Sequence, residues 1–119
     1  MKKKVLIIED DKFISKAMLY KFEEYKFTVR AVRTAEEGLE LLKKWIPNVI
    51  ILDILLPGID GYEFLRKVKS DERVNTIPVI VASNLPNDEE MHIGAIEYIV
   101  KSELDLDELV KKAVRNIKS

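Results

Sequence analysis

Val49-Ile50-Ile51-Leu52-Asp53 sets four consecutive apolar residues before an acid. A short unbroken run rich in Val and Ile reads as a strand buried on both faces, because a strand with one wet face would alternate apolar and polar residues. Other runs end in the same way. Val5-Leu6-Ile7-Ile8 stops at Glu9-Asp10-Asp11, Val79-Ile80-Val81-Ala82 at Ser83, and Tyr98-Ile99-Val100 at Lys101. Strands of this kind belong to parallel sheets covered by helices, and in such sheets ligands bind at the carboxyl ends of the strands. Residues far apart in the chain are therefore expected to meet at one sheet edge.

The segments between the runs carry helical spacing. Ile14, Ala17, Met18 and Phe22 recur on one helix face, and Phe27 to Val32 then alternates like a strand at or near a sheet edge. Thr34 with Glu37, Asp60 with Glu63, and Asp105 with Glu108 have the capping-box spacing that opens a helix. Asn84 to Gly94 leaves room for about two turns of 3.6 residues, so a fourth helix there should be short or irregular. Right-handed crossovers then predict an α/β domain: a flavodoxin-like open five-stranded parallel sheet of order 2-1-3-4-5 with helices on both faces.

At 119 residues the chain reads as a single domain, 1–119. Its 21 acids against 20 bases create no strong field toward nucleic acid or membrane. The absence of cysteine excludes disulfides and thiolate metal sites and makes the cytoplasm the expected compartment. No apolar stretch approaches the roughly 18 residues of a membrane span, and Lys2-Lys3-Lys4 leads into a strand rather than a signal peptide.

Glu9, Asp10 and Asp53 would crowd negative charge at the sheet edge, and a hard divalent cation relieves such repulsion. Magnesium fits, being held by carboxylates, waters and a phosphate oxygen. Asp10 is assigned as a direct ligand, Asp53 as a ligand through one oxygen and Glu9 as direct or through water, with the backbone carbonyl of Leu55 completing the shell. The second oxygen of Asp53 is then the nucleophile toward phosphorus, forming an acyl phosphate. Lys101 would neutralise charge on the transferred group, and the Ser83 hydroxyl would donate to a phosphoryl oxygen. Each residue alone has a plainer reading: a strand-end acid is commonly a cap, and a lone lysine commonly a surface group. Asp11 is expected only to cap the first helix, and the lone His92 to be a surface or half-buried residue. Joint placement favours the site.

These residues resemble the receiver domain of two-component response regulators over the whole chain. Asp53-Ile54-Leu55-Leu56-Pro57-Gly58-Ile59-Asp60-Gly61 is similar to the family segment running from the phosphoacceptor Asp to an Asp-Gly turn. Glu9-Asp10, Ser83, Gly94-Ala95, Tyr98 and Lys101 fall where that motif places their counterparts. The resemblance implies a phosphorylation switch. A sensor histidine kinase or phosphotransfer protein donates to Asp53, Ser83 moves toward the phosphoryl group and Tyr98 turns inward. Binding through the fourth helix, fifth strand and fifth helix then changes, toward a downstream target, an effector domain or a second copy of the chain. It also implies self-dephosphorylation tuned by Leu55 and Leu85, with no conventional turnover activity and no direct nucleic-acid or membrane contact.

Two departures stand out: Ser102 follows Lys101 where receivers usually carry proline, often after a cis peptide, and Asn84 to Gly94 is about one helical turn short. They keep open a receiver-like interaction module that is never phosphorylated. A phosphohydrolase using an aspartyl phosphate would need an acid two residues past the nucleophile, where Leu55 stands. A flavodoxin would need a Ser/Thr/Gly-rich phosphate loop where Glu9-Asp10-Asp11 stands. The length leaves no room for a DNA-binding or enzymatic domain, so a stand-alone receiver and a piece of a longer regulator both fit.

Overall fold

The computed structural model describes residues 2–84 and 94–117. Strands β1 (Lys4–Ile8), β2 (Thr28–Val32), β3 (Val49–Leu52), β4 (Val79–Ser83) and β5 (Glu97–Val100) form one parallel sheet in the order β2-β1-β3-β4-β5. Among the described residues the helices are α1 (Lys12–Glu24), α2 (Ala35–Leu42), α3 (Gly61–Lys69) and α4 (Leu106–Asn116), with a 3-10 turn over Lys101–Glu103. The short helix expected between β4 and β5 falls on residues 85–93, outside the described residues, as do Leu85 and His92.

The period of two along each strand divides the core between two faces. Leu6, Ile8, Ile50, Leu52, Val79 and Val81 pack against Leu42 of α2 and Phe64, Leu65 and Val68 of α3. Val5, Ile7, Val49, Ile51, Ile80 and Ala82 pack against Met18 and Phe22 of α1 and Leu109, Val110 and Ala113 of α4. Every residue of β3 and β4 is buried, which is why those runs do not alternate. Edge strand β2 has no buried residue. Phe27, expected to open that strand, instead precedes it, and its ring packs edge-on against Phe22 at 5.0 Å between centroids.

The caps form where the sequence placed them. Asp11 accepts from the N–H groups of Phe13 and Ile14, Thr34 from Glu37, Asp60 from Glu63 and Asp105 from Glu108. Each satisfies an N–H that the helix cannot pair internally, an effect of about 1 kcal/mol. The caps of α1 and α3 also fix where the helices leave the site. Gly61 begins α3 so close under β3 that a Cβ there would lie 2.5 Å from Ile54 Cα and 2.7 Å from the Asp53 carbonyl oxygen. Any larger residue would push the Asp53 loop off the helix.

Candidate functional site

Parallel register brings the strand ends level. Ile8 pairs with Leu52, Leu52 with Val81 and Ser83 with Val100, so Glu9, Asp53, Ser83 and Lys101 converge on one edge as expected. Glu9, Asp53 and Ser83 are the buried polar side chains among the described residues. Burying polar groups without partners is costly, so their concentration at one edge demands compensation.

Part of it comes from Lys101. Its Nζ lies 2.7 Å from Glu9 Oε1 and 2.9 Å from Oε2, with the directed hydrogen bond going to Oε2, and it donates to Asp53 Oδ2 at 3.0 Å. The other Asp53 oxygen, Oδ1, accepts from the Leu55 backbone N–H at 3.1 Å. Glu9 Oε2 also accepts from Asp11 N–H at 3.0 Å. Burial pushes the Glu9 carboxyl above its ordinary range, and the nearby Asp53 charge adds to this against the hydrogen bond from Lys101. For Lys101, burial works against the charged form, but hydrogen bonds to Glu9 and Asp53 outweigh it and hold the ammonium above its usual range. Both directions follow from two buried carboxylates sharing one cation.

Asp10 joins them half-exposed: Glu9, Asp10 and Asp53 each offer a carboxylate oxygen within 4.8 Å of the others. Three acids against one lysine leave an excess of negative charge, and an all-oxygen set of carboxylates suits a hard divalent cation. The residues present fit magnesium. The Leu55 N–H bond to Asp53 places Leu55's backbone at the cluster, although its side chain is exposed.

Tyr98, half-buried on β5, is hydrogen-bonded to the Ser83 side chain, while burial and the charge of Asp53 raise the phenol above its usual range. The resemblance gives Ser83 and Tyr98 separate movements, and the structure joins the two side chains directly. The Lys101–Ser102 peptide is trans, since no cis bond occurs among the described residues. Ser102 N–H donates to Asn84 Oδ1 at 2.9 Å.

Two residues at the site escaped sequence reading. Asn84 is one; the signal is that Ser102, unlike a proline, carries a backbone N–H to be satisfied. The other is Glu36, whose carboxylate accepts from Ile59 N–H at 3.3 Å and braces the loop after Asp53 at Gly58, where φ is 76°. Its only sequence signal was an acid in a helix's first turn, which is commonplace.

The fold and site define a class: a doubly wound parallel α/β domain with an acid cluster and a lysine at the carboxyl ends of its strands. The chain belongs to the response regulator receiver domain family, whose model matches residues 5–114. Transcriptional regulatory protein AfsQ1 of Streptomyces coelicolor is 34% identical over 101 residues, covering 82% of this chain and 44% of AfsQ1. The chain thus spans less than half of that relative's length. The receiver domain of Francisella response regulator 1452 superposes with a TM-score of 0.85 at 29% identity, covering 96% of this chain and 95% of that one. A BeF3-activated DrrB receiver domain superposes with a TM-score of 0.82 at 27% identity, covering 98% and 97%. Receivers are signalling domains whose general function is that of a phosphorylation switch, and they bind magnesium at an acidic pocket. Among the described residues no helix is long and apolar enough to cross a membrane.

Proposed function

We propose that this chain is a magnesium-dependent phosphorylation switch whose sole phosphoacceptor is Asp53. The observation that carries this is the concentration of buried polar side chains, Glu9, Asp53 and Ser83, at one sheet edge, with three acids set against a single lysine. A structural ion pair would be balanced; among the described residues Lys101 is the one cation paired with these buried acids.

Asp10, Asp53, Glu9 and the Leu55 carbonyl would hold magnesium, which when bound neutralises charge on the transferred phosphoryl group. An Asp53 carboxylate oxygen attacks phosphorus. The new bond is O–P, and the bond that breaks is N–P of a phosphohistidine, whose imidazole leaves with the electron pair and takes a proton from water. Lys101 stays ionised through this step because two carboxylates hold its proton, and its Nζ can follow negative charge from Asp53 onto the phosphoryl oxygens. Ser83 exchanges the Tyr98 phenol for a phosphoryl oxygen, which ties chemistry to the position of Tyr98. Tyr98 lies on β5, so its shift alters the face to which β5 and α4 contribute, and with it the binding of a downstream protein, an effector domain or a second copy of the chain.

The donor is a histidine kinase or phosphotransfer protein acting in the cytoplasm. A cavity of about 450 Å³ beside Glu9, lined by Lys12, Phe13, Lys16, Leu19 and Arg33, offers such a partner an apolar and basic foothold, and Phe13 is 89% exposed. The chain assists its own phosphorylation and dephosphorylation without being a turnover enzyme.

The test is intact mass after incubation with acetyl phosphate, with and without magnesium, for wild type and Asp53→Asn. One phosphoryl group gained only by wild type and only with magnesium is the expected result. No gain, together with failure to bind beryllofluoride, would leave a fixed interaction module instead.

A further inference from the structure

Ser102 stands where receivers usually carry proline, and what the missing ring exposes is a backbone N–H. That N–H is used: it donates to Asn84 Oδ1 at 2.9 Å, across 18 residues of chain. Asn84 follows Ser83, the last residue of β4, and Ser102 follows Lys101, so the bond joins the two loops that carry the hydroxyl and the lysine.

The lysine turn needs such a tie. β5 is an edge strand with a hydrogen-bonded neighbour on one side, and all its residues are only half-buried. Among the described residues no side chain caps the 3-10 turn at Val100. Beyond the turn's own Leu104 N–H to Lys101 carbonyl bond at 3.2 Å, Asn84 is the side-chain acceptor that holds its backbone among the described residues. Yet Lys101 must keep one nitrogen within 3.0 Å of both Glu9 and Asp53. An asparagine after a strand commonly closes a turn on its own backbone; this one reaches across to a neighbouring strand's loop.

We infer that Asn84 is a positioning residue for Lys101: its side chain latches the lysine turn to the switch end of β4, keeping the ammonium over Asp53 for phosphoryl transfer. Displacement of Ser83 and Asn84 is passed directly to Lys101, a coupling that a proline at 102 could not make. The inference rests on the phosphoacceptor reading above.

The experiment follows phosphoryl gain from acetyl phosphate by intact mass across a magnesium titration for wild type, Asn84→Ala, Asn84→Asp, Ser102→Pro and the Asn84→Ala/Ser102→Pro double variant. Asn84→Ala is expected to lower the maximal rate roughly two- to tenfold, the effect of one neutral hydrogen bond. The half-saturating magnesium concentration stays put, because Glu9, Asp10 and Asp53 are untouched. Asn84→Asp keeps the acceptor oxygen and recovers most of the loss. Ser102→Pro removes the donor and loses rate likewise, and the double variant is no slower than the slower single, since both remove one bond. A wild-type rate in Asn84→Ala, an Asp no better than Ala, or losses that multiply would each overturn the latch. If wild type itself takes up no phosphoryl group, the phosphoacceptor reading falls, and the latch is then judged by amide exchange at Ser102. That amide is expected to exchange faster in Asn84→Ala than in wild type and Asn84→Asp; equal exchange sinks the latch on its own.

Discussion

The two ends of β5 carry charge clusters built on opposite arithmetic. At its first residue, Glu97 alone accepts from Lys112, Arg115 and Asn116 on α4. Just past its last, Lys101 alone among the described residues pairs with Glu9 and Asp53, with Asp10 alongside. Burial is the largest influence on both Glu97 and Glu9, and it opposes ionisation in both. For Glu97 the hydrogen bonds from Arg115, Asn116 and Lys112 win and its carboxyl falls below the usual range; for Glu9 burial wins and its carboxyl rises. A surplus of donors makes a finished clamp between strand and helix. A deficit of donors makes a site whose oxygens suit a divalent cation.

The contrast breaks first at the deficient end. Asp53→Asn should abolish phosphoryl gain in the mass measurement, whereas Glu97→Gln should leave it intact. Lys101→Met should slow acetyl phosphate-driven gain by about 10²-fold or more, the scale of losing one preorganised donor to developing charge, as read from the time course by mass. Metal sharpens the difference. Magnesium at a hundredfold over its dissociation constant should add about 2.7 kcal/mol to the unfolding free energy of wild type and of Glu97→Gln, and much less to Asp10→Asn, as measured by urea titration.

The smallest effect lies at the finished clamp, where Glu97→Gln should cost about 1 kcal/mol, because the site is partly exposed and neutral hydrogen bonds remain. Its pH dependence has a fixed sign. The folded carboxyl sits below its ordinary 4.5, so the charge's contribution is complete above that value and is lost as pH falls through the lower folded one. The gap between wild type and Glu97→Gln in urea midpoint should therefore close below pH 4.5. A gap that widened on acidification would contradict the clamp.

Much of this is legible in the sequence. Unbroken apolar runs mark the strands, and the three capping pairs open helices where they stand. Glu9, Asp10, Asp53, Ser83 and Lys101 reached one edge because a parallel sheet aligns strand ends. Trp45 packs on the core, but the cations over its ring, Arg30 at 5.5 Å and Lys4 at 6.0 Å, come from other elements and carry no local signal. Glu36 was invisible for the same reason: its partner lies in a loop 23 residues away.

The sequence by itself determined the strands, their order and the edge at which the acids and the lysine assemble. Apolar periodicity, capping and the handedness of crossovers act locally or by rule, and they need no side-chain detail. Only the tertiary structure decided how one lysine is divided between Glu9 and Asp53, that Leu55 N–H holds the other Asp53 oxygen, that Tyr98 already meets Ser83, and that the N–H freed at Ser102 finds Asn84. Those contacts depend on where turns from different strands come to rest to within a fraction of an ångström, and hydrogen bonds weaken steeply over that distance.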